Sequence, residues 1–175
     1  MNVWLLYLLL SLPMTTSQQP TPPRFQKILR FNVYTFVVKS EMSDSGSTAT
    51  VAAYRGGLLL TRLVQPVGGA LLGADVGDLD ENRLPELYLY AAGQTDTTYG
   101  RVYGWQFLPE RLATISLTIP SAPAPAFRGN DRFTLTKNSL CHLVPIYKGG
   151  QQTNMAQRVC YRLRPLRENY QLLAD

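Results

Sequence analysis

The chain has 175 residues, 45% of them apolar, which excludes wholesale disorder and is enough for one domain with a real core. Seventeen Lys and Arg against twelve Asp and Glu give a net charge of +5. That excess is mild and contains no basic run, which argues against nucleic acid as a partner.

Residues 1–17 carry no charged side chain and an apolar block of about ten residues, roughly half of what a bilayer span needs. Pro13 interrupts the block, and Thr15, Thr16 and Ser17 supply small residues suited to cleavage. This layout predicts a secretory signal peptide over 1–17, hence a periplasmic or secreted protein with no membrane span after cleavage. Residues 18–26, with Pro20, Pro22 and Pro23, are expected to form an extended leader, and 27–175 the folded domain.

From there β-type residues dominate. Ile28 to Lys39 is expected as one strand, buried on both sides at its end. Thr48 to Tyr54 and Leu58 to Val64 follow, joined by a turn at Arg55-Gly56-Gly57, and Ala70 to Ala74 comes after the Gly68-Gly69 break. An acidic turn precedes Glu86 to Ala91. Beyond the loop at 93–99, Arg101 to Phe107 and Arg111 to Ile119 are strands. Asp131 to Tyr147 and Gln157 to Leu163 form the last pair. Short strands with Gly and Pro punctuation and no amphipathic helix predict an all-β fold, a single-domain antiparallel β-sandwich.

The two cysteines lie in that last pair. A hairpin centred on Gly149, Gly150 and Gln151 brings Cys141 and Cys160 opposite one another. In an exporting compartment such a pair is expected as a disulfide, contributing about 3 kcal/mol through loop closure.

Three features bear on chemistry. Asp78, Asp80, Asn82 and Glu86 present oxygens at alternate positions with a carboxylate further on, the pattern by which calcium loops converge side chains on one hard cation. Arg83 stands where such loops place Gly, and the same residues also fit an acidic, hydrogen-bonded turn ending at Pro85. Apart from that calcium ion no cofactor is expected, since His142 is the single histidine and a zinc site takes several Cys or His ligands. With no Gly-x-Ser-x-Gly and no leftover cysteine, an enzyme is not expected. The loop between the two strongest strands offers Gly93, Thr95, Asp96, Thr97, Thr98 and Tyr99 as a partner-binding surface, with Tyr99 as anchor. An ordinary solvated hairpin loop fits the same residues.

The order of acidic turn, Leu84-Pro85-Glu86-Leu87-Tyr88-Leu89-Tyr90, and small-residue loop ending in Tyr99 resembles the periplasmic inhibitors of invertebrate-type lysozymes. In that family a turn of the form Asp-x-Asn-Gly-Asp-Gly-x-Pro-Glu opens a strand, and a Ser-Gly-x-Tyr loop follows. Here Asp78, Pro85 and Glu86 match the turn, and Glu81 and Arg83 stand in place of its glycines. The loop aligns as Asp96-Thr97-Thr98-Tyr99, and Tyr99 is kept. The likeness extends upstream through Tyr34 to Lys39 and Thr48 to Arg55. Downstream, Phe127 to Phe133 and Pro145-Ile146-Tyr147 resemble a C-terminal part of related exported proteins. The resemblance implies an antiparallel β-sandwich whose protruding loop enters a lysozyme's substrate cleft and occludes its catalytic carboxylates. The expected function is therefore inhibition of a lysozyme-type glycoside hydrolase. The alternative is a calcium-stabilised, FG-GAP-like or adhesion-type structural module. Homodimerisation is left open.

Overall fold

Twelve strands and no helix make up the described residues, 25–43, 46–119 and 125–175, of this computed structural model. The segments expected as signal peptide and as most of the leader lie outside them. The strands are β1 (Phe25–Phe31), β2 (Tyr34–Ser43), β3 (Gly46–Arg55), β4 (Leu58–Val67), β5 (Leu71–Gly77), β6 (Glu86–Ala91), β7 (Arg101–Phe107), β8 (Leu112–Leu117), β9 (Arg132–Leu135), β10 (Leu140–Lys148), β11 (Gln151–Leu166) and β12 (Asn169–Ala174).

They form three four-stranded meanders. The first is a separate sheet in the order β1-β2-β3-β4. The other two fuse into one eight-stranded sheet, β5-β6-β7-β8-β12-β11-β10-β9. The architecture is all-β and sandwich-like, as expected, with one departure from an antiparallel arrangement. β8 and β12 run parallel, Ile115 opposite Tyr170 and Leu117 opposite Leu172. The chain leaves β8 and crosses to the far edge, so the third meander returns inward and brings its last strand alongside β8 in the same direction. A parallel pair requires a long connection of this kind.

Four expectations about strand limits are corrected. Ile28 to Lys39 is a hairpin rather than one strand, because Asn32 turns the chain with φ 50°. Asn tolerates this left-handed region better than other non-glycine residues, and its short polar side chain is easily overlooked inside an apolar run. β1 also begins at Phe25, inside the expected leader. The run from Asp131 to Tyr147 is cut by a tight turn in which Thr136 N donates to Ser139 O at 2.9 Å. A final strand, β12, extends beyond the pair that was expected to end the fold.

Two cores result, and β6 belongs to both. Phe36, Val38 and Val51 of the first sheet pack against Leu87, Leu89 and Trp105. On the opposite face of the large sheet, Tyr88, Tyr90 and Ile115 pack against Leu140, Tyr161 and Leu172. All six residues of β6 are buried. A strand covered on both faces needs an unbroken apolar run, and Leu87 to Ala91 supplies it. The chain passes between the two sheets at Gly68-Gly69. A Cβ at Gly69 would sit 2.5 Å from the Ala92 carbonyl oxygen, so the crossover demands glycine there. Lys27 ties the sheets together, donating to Ala74 O at 2.6 Å and to Asp75 at 3.1 Å. Among the described residues no helix is long and apolar enough to cross a membrane.

Candidate functional site

The loop joining β6 to β7 is closed on itself. Thr98 N donates to Thr95 O at 3.1 Å, and Thr98 Oγ1 donates to the same carbonyl at 3.0 Å. That hydroxyl in turn accepts from Thr95 N at 3.0 Å. Gly93 makes the closure possible, since a Cβ there would overlap the Thr98 carbonyl oxygen. Gln94, Thr95, Asp96, Thr97 and Thr98 are exposed at the tip. Of the residues expected to form a partner surface, four therefore sit together in solvent, and Gly93 shapes the turn that presents them.

Tyr99 is placed differently from its expected role as anchor. It is half-buried at the foot of the loop, edge-on to Phe127 at 4.9 Å and to His142 at 5.1 Å. Burial, with the nearby Asp131 charge, raises its phenol above the usual range. A contact ring at the tip would be solvated; this one supports the loop from below.

Beneath it lies a buried post that the residue pattern did not reveal. Gly100 N donates to Asp131 Oδ2 at 2.9 Å. The same oxygen is 2.6 Å from His142 Nε2, and the two side chains are only 4% and 2% exposed. The His142 ring stacks on Phe133 at 4.5 Å, and Phe133 stacks on Tyr90 at 5.8 Å. Asp131 and His142 are eleven residues apart on either side of a turn, so no local motif marks them as partners. The available signal was compositional: a single histidine on a strand is seldom buried without an acidic or carbonyl partner.

Segment 127–130 flanks the loop and leans on the last hairpin. Tyr147 donates its hydroxyl to Gly129 O at 2.9 Å, and Gly129 takes φ 80°. The hairpin turns at Gly149 and Gly150, with φ of 58° and 80°. A bulge between Pro145 and Tyr147 then restores the expected alignment, and Cys141 faces Cys160 across β10 and β11. The two are disulfide-bonded with Cα atoms 4.0 Å apart, as expected.

The acidic turn stands at the opposite end of β6, against the end of β7. Asp78 Oδ2 accepts from Arg83 N at 2.8 Å, and Asn82 Oδ1 from Leu84 N at 2.8 Å. Glu86 Oε2 accepts from Leu79 N at 2.7 Å and from Tyr88 Oη at 3.2 Å. Burial pushes the Glu86 carboxyl up to about 7 in spite of these donors. Glu81 and Arg83 both adopt left-handed backbone, φ 59° and 68°. Oxygens of Asp78, Asp80 and Glu86 lie within 4.8 Å of one another. Asn82, expected beside them, instead donates its amide to Asp80 Oδ2 at 3.0 Å.

No protein-family model and no curated protein matches the sequence. A comparison with solved structures returns an alpha-L-arabinofuranosidase from Podospora anserina in complex with cellotriose. It is 11% identical, with a TM-score of 0.28, over 92% of this chain and 70% of that one. A likeness that loose carries no argument about function.

Proposed function

We propose that the protein is an exported, non-enzymatic inhibitor of a lysozyme-type glycoside hydrolase, acting through the exposed tip 94–98. The observation that carries this reading is the self-closed loop mounted on the buried Asp131–His142 post. A binding loop that is ordered before it meets its partner loses little conformational entropy on docking. The turn at 78–86 supports the same reading. The two positions where the resembling family has glycine, Glu81 and Arg83, both take left-handed φ here. The turn thus keeps a backbone suited to glycine, although both glycines are gone.

In this reading Thr95 and Thr97 supply hydroxyl contacts within the target cleft, while Thr98 closes the loop on itself and Tyr99 acts from beneath by holding it. The test is inhibition of a panel of lysozymes of different classes by the purified mature protein. At least one class should be inhibited, and Gly93→Ala should weaken that inhibition strongly while far-UV circular dichroism shows the sheets intact. Failure to inhibit any lysozyme in the panel would sink the proposal.

A further inference from the structure

The acidic turn holds more acceptors than the protein supplies donors for. Two polar atoms there are buried without a partner, Asp78 Oδ1 and Gln106 Oε1. Gln106 is wholly buried on β7 and lies directly opposite Glu86 in the β6–β7 ladder. Its Nε2 reaches Asp80 Oδ2 at 3.1 Å, so the amide group lies against the carboxylate cluster. Turning that amide over, an exchange of near-identical shape, would present Oε1 to the same point. Three carboxylates whose oxygens lie within 4.8 Å of one another repel, and a buried amide oxygen with no donor adds to the cost. A water molecule could satisfy one oxygen, yet it would leave the repulsion in place. A cation removes both penalties.

We propose that Asp78, Asp80, Glu86 and Gln106 bind one calcium ion. The donor set is oxygen throughout, which suits a hard cation and not zinc. The ligands come from an irregular turn and two strands, a setting that the flexible coordination of Ca2+ accommodates better than the strict octahedron of Mg2+. The ligand set differs from the one that spacing suggests. Asn82 is occupied with Asp80 and with Leu84 N, and its place falls to Gln106, which only the pairing of β6 with β7 brings near. Bound there, the ion would lock the turn to both strands at the end of the molecule remote from the loop. The inference is independent of lysozyme inhibition.

Tyr88 provides a direct readout, because its hydroxyl is 3.2 Å from Glu86 Oε2 and can sensitise the luminescence of bound Tb3+. The purified protein, freed of metal with chelator, should show Tb3+ emission on tyrosine excitation that Ca2+ displaces. Its melting temperature should rise by roughly 5 °C or more at a hundredfold excess of Ca2+ over the dissociation constant. Asp78→Asn and Gln106→Leu should each weaken binding at least about tenfold, a loss of one charged or dipolar ligand. Asp96→Asn, an acidic change on the distant loop, should leave it unaltered. Absence of both sensitised emission and a melting shift in the native protein would overturn the site. Emission that survives Asp78→Asn would place the ion elsewhere and overturn it too, and binding unaffected by Gln106→Leu would overturn the ligand set. The native measurements stand even if a variant fails to fold.

Discussion

Arg83 shows how a single residue can carry a cost for the shape of a turn. Left-handed backbone disfavours a side chain by about 1–2 kcal/mol, offset in part by the greater freedom of glycine in the unfolded chain. Arg83 sits at φ 68° with Asp78 Oδ2 accepting from its N–H, so the conformation is held by the turn and not chosen by the residue. Arg83→Gly should therefore stabilise the protein by up to about 1 kcal/mol in urea denaturation; a destabilised variant would show that the guanidinium contributes something the backbone argument omits. Glu86 gives a second residue-scale expectation. Its folded carboxyl titrates near 7, above the ordinary 4.5, because it is buried. Between those values the folded protein holds a proton that the unfolded chain has released. The resulting stability is complete below about pH 4.5 and is lost as pH rises through 7. At about 1.4 kcal/mol per unit, the change is on the order of 3 kcal/mol. In chelator, the stability of the native protein relative to Glu86→Gln should fall from pH 5 to pH 8, and a constant difference would contradict the assignment.

At the scale of elements, the last hairpin decides how well the loop is supported. Beyond Leu143, β10 pairs only with β11, and most of β11 before Val159 is exposed. The base of that hairpin arm is fixed by a covalent link. The disulfide does this: Cys141 is fully buried, and the bond closes a chain separation of 19 residues just inside the arm. Tyr147, farther out on the arm, buttresses segment 127–130 and through it the loop. Reduction, or Cys141→Ser with Cys160→Ser, should cost about 3 kcal/mol and lower the melting temperature by roughly 10 °C. Calorimetry with and without reductant checks this, and coincident transitions would mean the arm is held by its packing alone. The disulfide was legible because pairing along a hairpin follows from counting residues. The Asn32 turn and the break before β10 were not, because each hides in a run of strand-forming residues and is set by backbone geometry.

For the molecule as a whole, charge and shape divide the labour. The exposed tip of the loop has a single ionisable group, Asp96. In the proposed complex that carboxylate would approach catalytic carboxylates of like sign, which opposes binding. Asp96→Asn should strengthen inhibition of a susceptible lysozyme several-fold, equivalent to about 1 kcal/mol for charges about 4 Å apart in water. Inhibition that weakens instead would mean Asp96 meets a cationic group on its target. β4 closes the first sheet with an edge that no described strand pairs, interrupted by Arg62 and Pro66, two residues that discourage edge-to-edge association.

The linear order of residues determined the fold class, most strand positions and the disulfide, since all of these follow from periodicity, turn chemistry and short-range counting. It also singled out Asp78, Asp80 and Glu86, whose oxygens converge across one turn. Tertiary structure alone decided the rest. It joined β8 to β12 in parallel, drew Tyr99 down from the tip to the foot of its loop, and set that loop on Asp131 and His142. It also replaced Asn82 with Gln106 beside the carboxylates. The physical reason is common to these cases: each depends on which strands lie side by side, and that is settled by burying two cores against one shared strand, not by any residue's neighbours along the chain.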